Sequence, residues 1–412
     1  MHSKIILFLL IALTLAGCGG AREPDDVAYV VSVGVDKGPE KNIIVTYRVA
    51  IPRQLSGDNP GSASKTASLI SFTAPSLAEA RNLLNSSSGR SVTLSHTRAF
   101  IIGRELAENG LGDFIGPLLR FREFRGSMFI LVVQGTAKET MEKNDPQIEN
   151  IEARWLEGIM RTADDSSYYL RTTLQDFYTR LKGQTGAPLA AFAAVNEDKL
   201  TGTPNAVRFP GERAKEYMAG NVPKVGGNPV VVMGTAVFKV DKMVGVLDNE
   251  ETRMLAILRG KMPRGYIVLD DPLNPERSLN VNLRLGKDPH IEVELTPERP
   301  VISADILLEG EITSIPSGIF YEDNQYQPEL EARISQIIKG EMLRMLQYTQ
   351  QLEVDPADFG YYIRPQFFTR AELEKVQWDR QYPKAEWNIK ITTKLRRTGL
   401  MRKSMPLRRS DS

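Results

Sequence analysis

The stretch SMFILVVQG, residues Ser127–Gly135, carries six consecutive apolar residues between polar ends. A strand with one solvent-exposed face alternates apolar and polar residues, whereas a strand covered on both faces is apolar throughout. This segment is therefore predicted to be a central strand of a sheet. Strand-like and helix-like segments alternate around it, with strands predicted at 68–73 and 98–103. That order predicts a mixed α/β block.

Helical patterns separate these strands. The segment that follows Ser76 places Leu77, Ala80, Leu83 and Leu84 on one face, and Ser76 with Glu79 matches the S-x-x-E capping box that begins many helices. Further helices are predicted at residues 112–121, 136–143, 151–160 and 174–181.

The N-terminal part contains two β-rich segments, at 27–36 and 43–51. A two-stranded hairpin is marginally stable alone, so it is expected to pair with later strands. The segment 229–262 contains two strand patterns and a short helix, and we expect it to complete the hairpin. The first domain is therefore predicted to be discontinuous, formed by residues 18–51 with 228–265.

The other boundaries follow from composition. Residues 52–227 form the predicted second domain, the inserted α/β block and its linker, because Asn196–Pro229 is rich in glycine and proline and lacks periodicity. Residues 266–399 form the third domain, and residues 400–412 form a basic tail.

The third domain is predicted to contain an antiparallel sheet and one long helix. Its first strands are predicted at 266–269, 278–285, 290–295 and 301–313. A helix from Pro328 to Gln350 is about 35 Å long, enough to cross a sheet. Thr369 and Glu372 match a second capping box. The predicted fold class is α+β: a three-domain ectodomain with a mixed α/β middle block and an antiparallel sheet plus long helix in the C-terminal domain, behind an N-terminal lipid anchor.

The chain begins MHSKIILFLLIALTLAGC, in which Lys4 precedes an apolar run from Ile5 to Leu15. The run is shorter than the about 20 residues of a membrane-spanning helix, so residues 1–17 are predicted to be a signal peptide. The closing Leu-Ala-Gly-Cys resembles the bacterial lipobox, which predicts a lipid on Cys18. Two or more acyl chains there would anchor the protein stably. The alternative is an ordinary signal that leaves Cys18 as a free thiol.

Composition limits the classes of partner. Lys plus Arg is 52 and Asp plus Glu is 51, and removal of Lys4 makes the two equal, so no global field attracts nucleic acid. With 42% hydrophobic residues the chain has enough apolar material for packed cores. A single cysteine excludes an intrachain disulfide. No later stretch of 18 apolar residues predicts another membrane span.

Motifs for catalysis are missing from the sequence. It contains no G-x-x-x-x-G-K-[ST] phosphate loop, no G-x-G-x-x-G, no G-x-S-x-G elbow and no H-E-x-x-H. Because His2 leaves with the signal, His96 and His290 are the imidazoles available for acid-base or metal chemistry, and each is interpreted as structural. The protein is predicted not to be an enzyme and to hold no cofactor or metal.

Two carboxylate pairs lie two residues apart on predicted strands, which places each pair on one face: Glu292 with Glu294, and Glu309 with Glu311. Such a pair can ligate a metal, but a solvated strand face has the same pattern, and the solvated face is the favoured interpretation.

An aromatic cluster contains Phe359, Tyr361, Tyr362, Phe367 and Phe368. It lacks the interleaved basic residues of a platform on which nucleic-acid bases stack. It is therefore interpreted as core or domain interface.

The end of the chain is basic, with Lys394, Arg396, Arg397, Arg402, Lys403, Arg408 and Arg409 against the single acid Asp411. Near an anionic bilayer each cation adds about 1 kcal/mol of attraction. The alternative is a disordered, solubilising tail.

Five segments in series resemble the Ger(x)C lipoproteins, the C subunits of nutrient receptors in bacterial endospores. They are AYVVSVGVDK, SLAEARNLLNSSSGRSVTLSHTRAFIIGRELAENGL, LLRFREFRGSMFILVVQGTAKE, GTAVFKVDKMVGVLDNEETRMLAILRGK, and DPADFGYYIRPQFF with EWNIKITTKLRRTG. The match covers nearly the whole mature chain. Gly19-Gly20-Ala21 departs from the aromatic and charged residues that often follow the family's lipobox, which suggests a looser tether.

The resemblance implies a lipid-anchored, non-catalytic subunit that assists assembly or signalling of a nutrient germinant receptor. Its implied partners are the membrane-spanning A and B subunits and the bilayer, at the outer face of the spore inner membrane. The blocks 98–110 and 234–261 are candidate contacts, or equally buried structural segments. Two alternatives remain: a solute-binding lipoprotein of an ABC importer, which needs two α/β lobes of βαβ units, and a cell-wall hydrolase, which needs a carboxylate pair or metal.

Overall fold

The computed structural model describes residues 26–50, 67–149, 152–183, 185–200, 217–321, 323 and 325–397. The strands are β1 Val27–Lys37, β2 Ile43–Ala50, β3 Ala67–Ala74, β4 Ser91–Thr93, β5 Ala99–Gly103, β6 Phe129–Val133, β7 Leu189–Val195, β8 Val230–Lys239, β9 Lys242–Leu247, β10 Gly265–Asp271, β11 Asn274–Leu285, β12 His290–Leu295, β13 Pro300–Ser314 and β14 Glu386–Arg397.

The α-helices are α1 Leu77–Ser88, α2 Arg104–Asn109, α3 Gly112–Arg120, α4 Ala137–Lys143, α5 Glu152–Ser166, α6 Leu174–Lys182, α7 Asn249–Leu258, α8 Gln327–Gln351, α9 Arg370–Val376 and α10 Trp378–Gln381. Short 3-10 helices span Phe359–Tyr361, Arg364–Gln366 and Tyr382–Lys384. Among the helices described here, none combines the length and hydrophobicity needed to cross a bilayer.

Nine of the described strands form the first sheet, in the order β3-β2-β1-β5-β6-β7-β8-β9, with β4 beside β1. The strands β1, β5, β6 and β7 run parallel, and antiparallel hairpins flank them on both sides. The prediction that SMFILVVQG is central is confirmed. Side chains of β6 alternate between two cores, one covered by α1, α3 and α6 and the other by α4 and α5.

The predicted pairing of the N-terminal hairpin with the strands of segment 229–262 is wrong. β1 pairs with β2, β4 and β5, whereas β8 pairs with β7 and β9. The parallel strands β5, β6 and β7 lie between the two hairpins. The edge N–H and C=O groups of β1 bond to β5 and those of β8 bond to β7, so the hairpins do not pair with each other. The predicted division into domains stays a prediction.

The second sheet contains β10, β11, β13, β12 and β14 among the described strands. Its antiparallel pairs agree with the prediction, but β14 pairs parallel to β13 along eleven positions, so the sheet is mixed. The long helix α8 is the reason. It carries the chain from one end of β13 back to the other, which is the crossover that a parallel neighbour requires.

A third core joins the two sheets. It contains apolar residues of α7, α8 and the second sheet, together with Leu189, Val237 and Leu247 from the first. Every residue of α7 except Glu250 is buried. A helix buried on all sides packs against elements in several directions, so α7 connects the two sheets mechanically.

Candidate functional site at the junction of the two sheets

The predicted lipidation residue, Cys18, lies outside the described residues. The first described strand, β1, begins at Val27. Lipidation of Cys18 therefore stays a prediction.

The two histidines lie in separate, exposed places. The ring of His96 packs edge-on against Tyr29, with 5.2 Å between the ring centroids. His290 Nε2 lies 3.0 Å from a carboxylate oxygen of Glu292, and both side chains are exposed. Within the described part of the chain, no group of three His, Cys, Asp or Glu side chains has the arrangement of a metal site.

The carboxylate pairs differ in their environments. Glu292 and Glu294 are exposed, as the solvated-face interpretation expects. Glu309 is less exposed, because Arg284 and Arg396 approach its carboxylate at 2.8 and 2.6 Å. Its charge is therefore neutralised within the protein.

The aromatic cluster divides into two groups. Phe359 is buried against Tyr382 and Trp387, and Phe367 packs against the third core. The predicted core or interface position is wrong for Tyr361, Tyr362 and Phe368, which are exposed. Tyr361 ends the first 3-10 helix, and Tyr362 and Phe368 follow the first and the second; these tight turns direct side chains outward as well as inward.

The loop Asp355–Gly360, sequence DPADFG, connects the sheets. Its first carbonyl, on Asp355, accepts a hydrogen bond from the backbone N–H of Ala187, just before β7. Asp358 adopts φ 68°, a left-handed conformation that aspartate tolerates better than most residues. Its carboxylate lies 3.1 Å from Arg180 of α6. Arg180 also donates to the carbonyl of Ala187 at 3.4 Å.

The side chain of Asp355 is buried inside this loop. Its Oδ2 accepts hydrogen bonds from Gly360 N and Trp378 Nε1, both at 2.9 Å. No group of the described chain bonds its Oδ1. Burial raises the pKa of Asp355 to about 6, and the nearby Asp358 charge acts in the same direction, while the N–H groups of Gly360, Trp378 and Phe359 oppose it.

A second cation stands beside Arg180. Desolvation, followed by the charge of Arg180, lowers the pKa of Arg259 to about 10, and the carboxylates of Asp358, Asp176 and Asp355 oppose this shift. The junction therefore holds closely spaced charges of both signs. Its geometry depends on the position of the DPADFG loop relative to α6.

The buried helix α7 supplies a second connection. Arg253 donates to Glu250 at 2.7 and 2.8 Å, and its guanidinium lies 4.8 Å from the ring centroid of Tyr168. Tyr168 belongs to the first sheet's layer, where its carbonyl accepts from Gly234 N at 2.7 Å. Desolvation of its partly buried carboxylate raises the pKa of Glu250, and the charge of the adjacent Arg253 opposes that increase.

The junction residues Arg180, Arg259 and Asp355 were outside the predicted sites. Arg180 lies in the last turn of the amphipathic helix α6, where a basic residue commonly interacts with the helix dipole. The sequence feature that could have indicated this site is the segment DPADFG, which places two aspartates, a proline and a glycine within six residues. This arrangement holds the two sheets together. It contains one buried carboxylate, that of Asp355, whose pKa is raised to about 6.

Two family models match the chain. The model "Spore germination protein N-terminal domain" matches residues 20–194, and "Spore germination B3/ GerAC like, C-terminal" matches residues 233–399. The chain belongs to this spore germination family. Both connections described above join the two matched parts of the germination protein.

Relatives of this germination protein are known in Bacillus subtilis (strain 168). "Putative spore germination protein YfkR" is 23% identical and covers 98% of each chain. "Spore germination protein KC" is 24% identical over 96% of this chain and 95% of its own. The fold is similar to that in "Crystal Structure of the GerBC protein", with a TM-score of 0.52 over 88% of this chain, 96% of that chain and 16% identity.

Proposed function

We propose that this germination protein is a lipid-anchored, non-catalytic subunit of a nutrient germinant receptor. The observation that carries the proposal is the pair of family matches, which together reach from residue 20 to residue 399. The lipobox-like Leu-Ala-Gly-Cys at residues 15–18 supports membrane attachment through a lipid on Cys18. The protein would stand at the outer face of the spore inner membrane beside the membrane-spanning A and B subunits.

The junction suggests how such a subunit passes on a change of position. α7 is packed between the sheets, and the ion pair between Arg180 and Asp358 joins them beside it. A packed core transmits displacement because it resists compression. A partner that moves one sheet would therefore move the other as well.

Burial decides which parts of the two candidate contact segments, 98–110 and 234–261, are accessible to a partner protein. Most of block 234–261 lies inside the protein, because β8 and α7 are buried. In block 98–110 the strand β5 is buried, whereas Glu105, Glu108 and Asn109 of α2 are exposed. Of the two blocks, α2 is the better surface for a partner.

Replacement of Cys18 tests the proposal. In Cys18→Ala spores we expect the protein to leave the membrane pellet and nutrient-triggered germination to become slow or absent. Gly20→Ala is the matched control, since it retains the cysteine and the residues before it. The proposal fails if the native protein carries no lipid and stays in the soluble supernatant while the spores germinate normally.

A further inference from the structure

A groove rich in arginine lies at the edge of the first sheet where the parallel strands begin. Its volume is about 260 Å³, and its lining includes Arg98, Arg125, Ser127, Glu157, Arg161 and Arg171. We call it the arginine groove. Four arginine residues therefore line one small cavity.

Only part of this charge is neutralised. Glu157 pairs with Arg98, with 3.0 Å between the charged atoms. Within the described residues, Arg125, Arg161 and Arg171 have no carboxylate partner at salt-bridge distance, and all three are exposed. Like charges held together without a counter-ion repel one another, so an anion in the groove would be favoured.

The positive potential extends beyond the groove. Arg171 and Ser127 also line a neighbouring cavity of about 550 Å³, which contains Arg259 and Lys261. Desolvation and the charge of Arg259 lower the pKa of Lys261, and Arg171 contributes in the same direction. The acids of that cavity, Asp164 and Asp176, are fewer than its cations.

We propose that the arginine groove binds a phosphate group. Three guanidinium groups from a loop, a helix and a second loop match the several oxygens of a phosphate, which arginine contacts through paired N–H donors. The exposed hydroxyl of Ser127 supplies another donor. The site goes beyond the proposed receptor role and does not depend on it.

The ligand could be a free phosphate compound or the headgroup of an anionic lipid. The groove floor is set by β5 and β6, since Arg98 N donates to Val31 O and Phe129 N donates to Arg98 O, both at 2.8 Å. β1 continues past this floor to Val27, roughly 13 Å at strand spacing. The N-terminal end of β1 therefore lies at the same edge as the groove, and a lipid on Cys18, nine positions before Val27 in the sequence, would bring this edge close to a bilayer.

The first experiment measures free phosphate. The full chain in a non-ionic detergent is titrated with inorganic phosphate by calorimetry at constant ionic strength. We expect saturable binding that weakens at least about tenfold in Arg171→Gln and in Arg125→Gln. Arg122→Gln is the matched control, because Arg122 is exposed on the same loop as Arg125 but does not line the groove.

The second experiment measures lipid headgroups. Full-chain Cys18→Ala, which lacks the acyl anchor, is sedimented with vesicles of phosphatidylcholine alone or with phosphatidylglycerol. The control is Arg380→Gln, because Arg380 is an exposed arginine of α10 that does not line the groove. Binding that needs phosphatidylglycerol and is lost in the double variant Arg125→Gln with Arg171→Gln, but kept in Arg380→Gln, identifies the headgroup as the ligand. Phosphate binding with no vesicle binding identifies a free phosphate compound.

The inference is overturned if neither inorganic phosphate nor anionic vesicles bind. It is also overturned if Arg122→Gln or Arg380→Gln weakens binding as much as the groove variants do. Circular dichroism of each variant confirms folding. The groove side chains are exposed and make few internal bonds, so their replacement leaves the packed cores intact.

Discussion

Arg180 and Asp358 are 178 positions apart, yet a guanidinium nitrogen of one lies 3.1 Å from a carboxylate oxygen of the other. The side chains are 14% and 28% exposed, so water screens the pair less than it screens a surface pair. The contact joins α6, which packs on the first sheet, to the DPADFG loop. It is therefore one of the interactions that hold the two sheets together.

We expect a double-mutant cycle on Arg180→Ala and Asp358→Ala to give a coupling of about 1–2 kcal/mol in the free energy of unfolding. The exposed pair Arg104 and Glu108, four residues apart on α2, is the control and should give no more than about 0.5 kcal/mol. Urea denaturation measures both. Equal couplings would contradict the structural role assigned to Arg180.

The stability of the protein should depend on the protonation of Asp355. Its folded pKa of about 6 lies above its ordinary value of 3.8, so the folded state binds the proton more tightly than the unfolded state. The free energy of unfolding should therefore fall as the pH rises from about 4 to about 6, by up to about 3 kcal/mol. Above pH 6 this contribution should be constant.

Asp355→Asn should reduce that pH dependence. An asparagine oxygen can occupy the place of Oδ2 and accept from Gly360 N and Trp378 Nε1, without a charge that burial opposes. Denaturation at pH 4, 5, 6 and 7 measures the effect, with the exposed Glu276→Gln as control. A variant with the wild-type pH dependence would rule out Asp355 as its source.

Two glycines provide a matched pair of alanine substitutions. A Cβ on Gly360 would lie 2.7 Å from Trp378 Cδ1 and 2.7 Å from Thr185 Cβ, whereas a Cβ on Gly340, within α8, would meet no atom within 4 Å. We expect Gly360→Ala to destabilise the protein by about 1–3 kcal/mol. Gly340→Ala should stabilise it by up to about 1 kcal/mol, since alanine favours helix.

Thermal unfolding of both variants measures these effects. An unchanged melting temperature for Gly360→Ala would mean that the loop can move away from Trp378 at little cost. The junction would then be looser than its contacts indicate.

The attachment of β14 to α8 should depend on Glu331. Its carboxylate accepts from Lys394 Nζ and Leu395 N, both at 2.8 Å. Burial raises its pKa, but the bonds from Lys394, Leu395 and Gln327 outweigh burial and hold the pKa below its usual range. This stabilisation is therefore present above the ordinary glutamate pKa and is lost as the pH falls below it.

Glu331→Ala leaves the buried Leu395 N–H without a partner and removes the ion pair with Lys394, so we expect a loss of about 2 kcal/mol at neutral pH. Glu386→Ala, on the strand β14 that Glu331 binds, is the control, because its partner Arg299 lies 2.6 Å away but both side chains are about half exposed. It should cost less than about 0.5 kcal/mol. Similar losses for the two variants would show that burial of Glu331 is unimportant.

Local structure was largely predictable. The capping box at Thr369 and Glu372 is complete, and Ser76 accepts from Glu79 N at 3.2 Å. These motifs act within one turn, so neighbouring residues specify them. The apolar run of β6 indicated a covered strand for the same reason. The strand β7, LAAFAAV, was not predicted, because alanine has little preference for strands and only pairing with β6 and β8 makes it one.

The sequence by itself determined most of the helices and strands, the buried periodicities and the family resemblance, since each depends on residues close together in the chain. The tertiary structure decided which strands are neighbours, that α7 is buried on every side, and that Arg180 meets Asp358. It also brought Arg125, Arg161 and Arg171 to one groove. Those outcomes depend on contacts between distant residues, where many pairings satisfy the same local patterns and only the packing of the whole chain selects one.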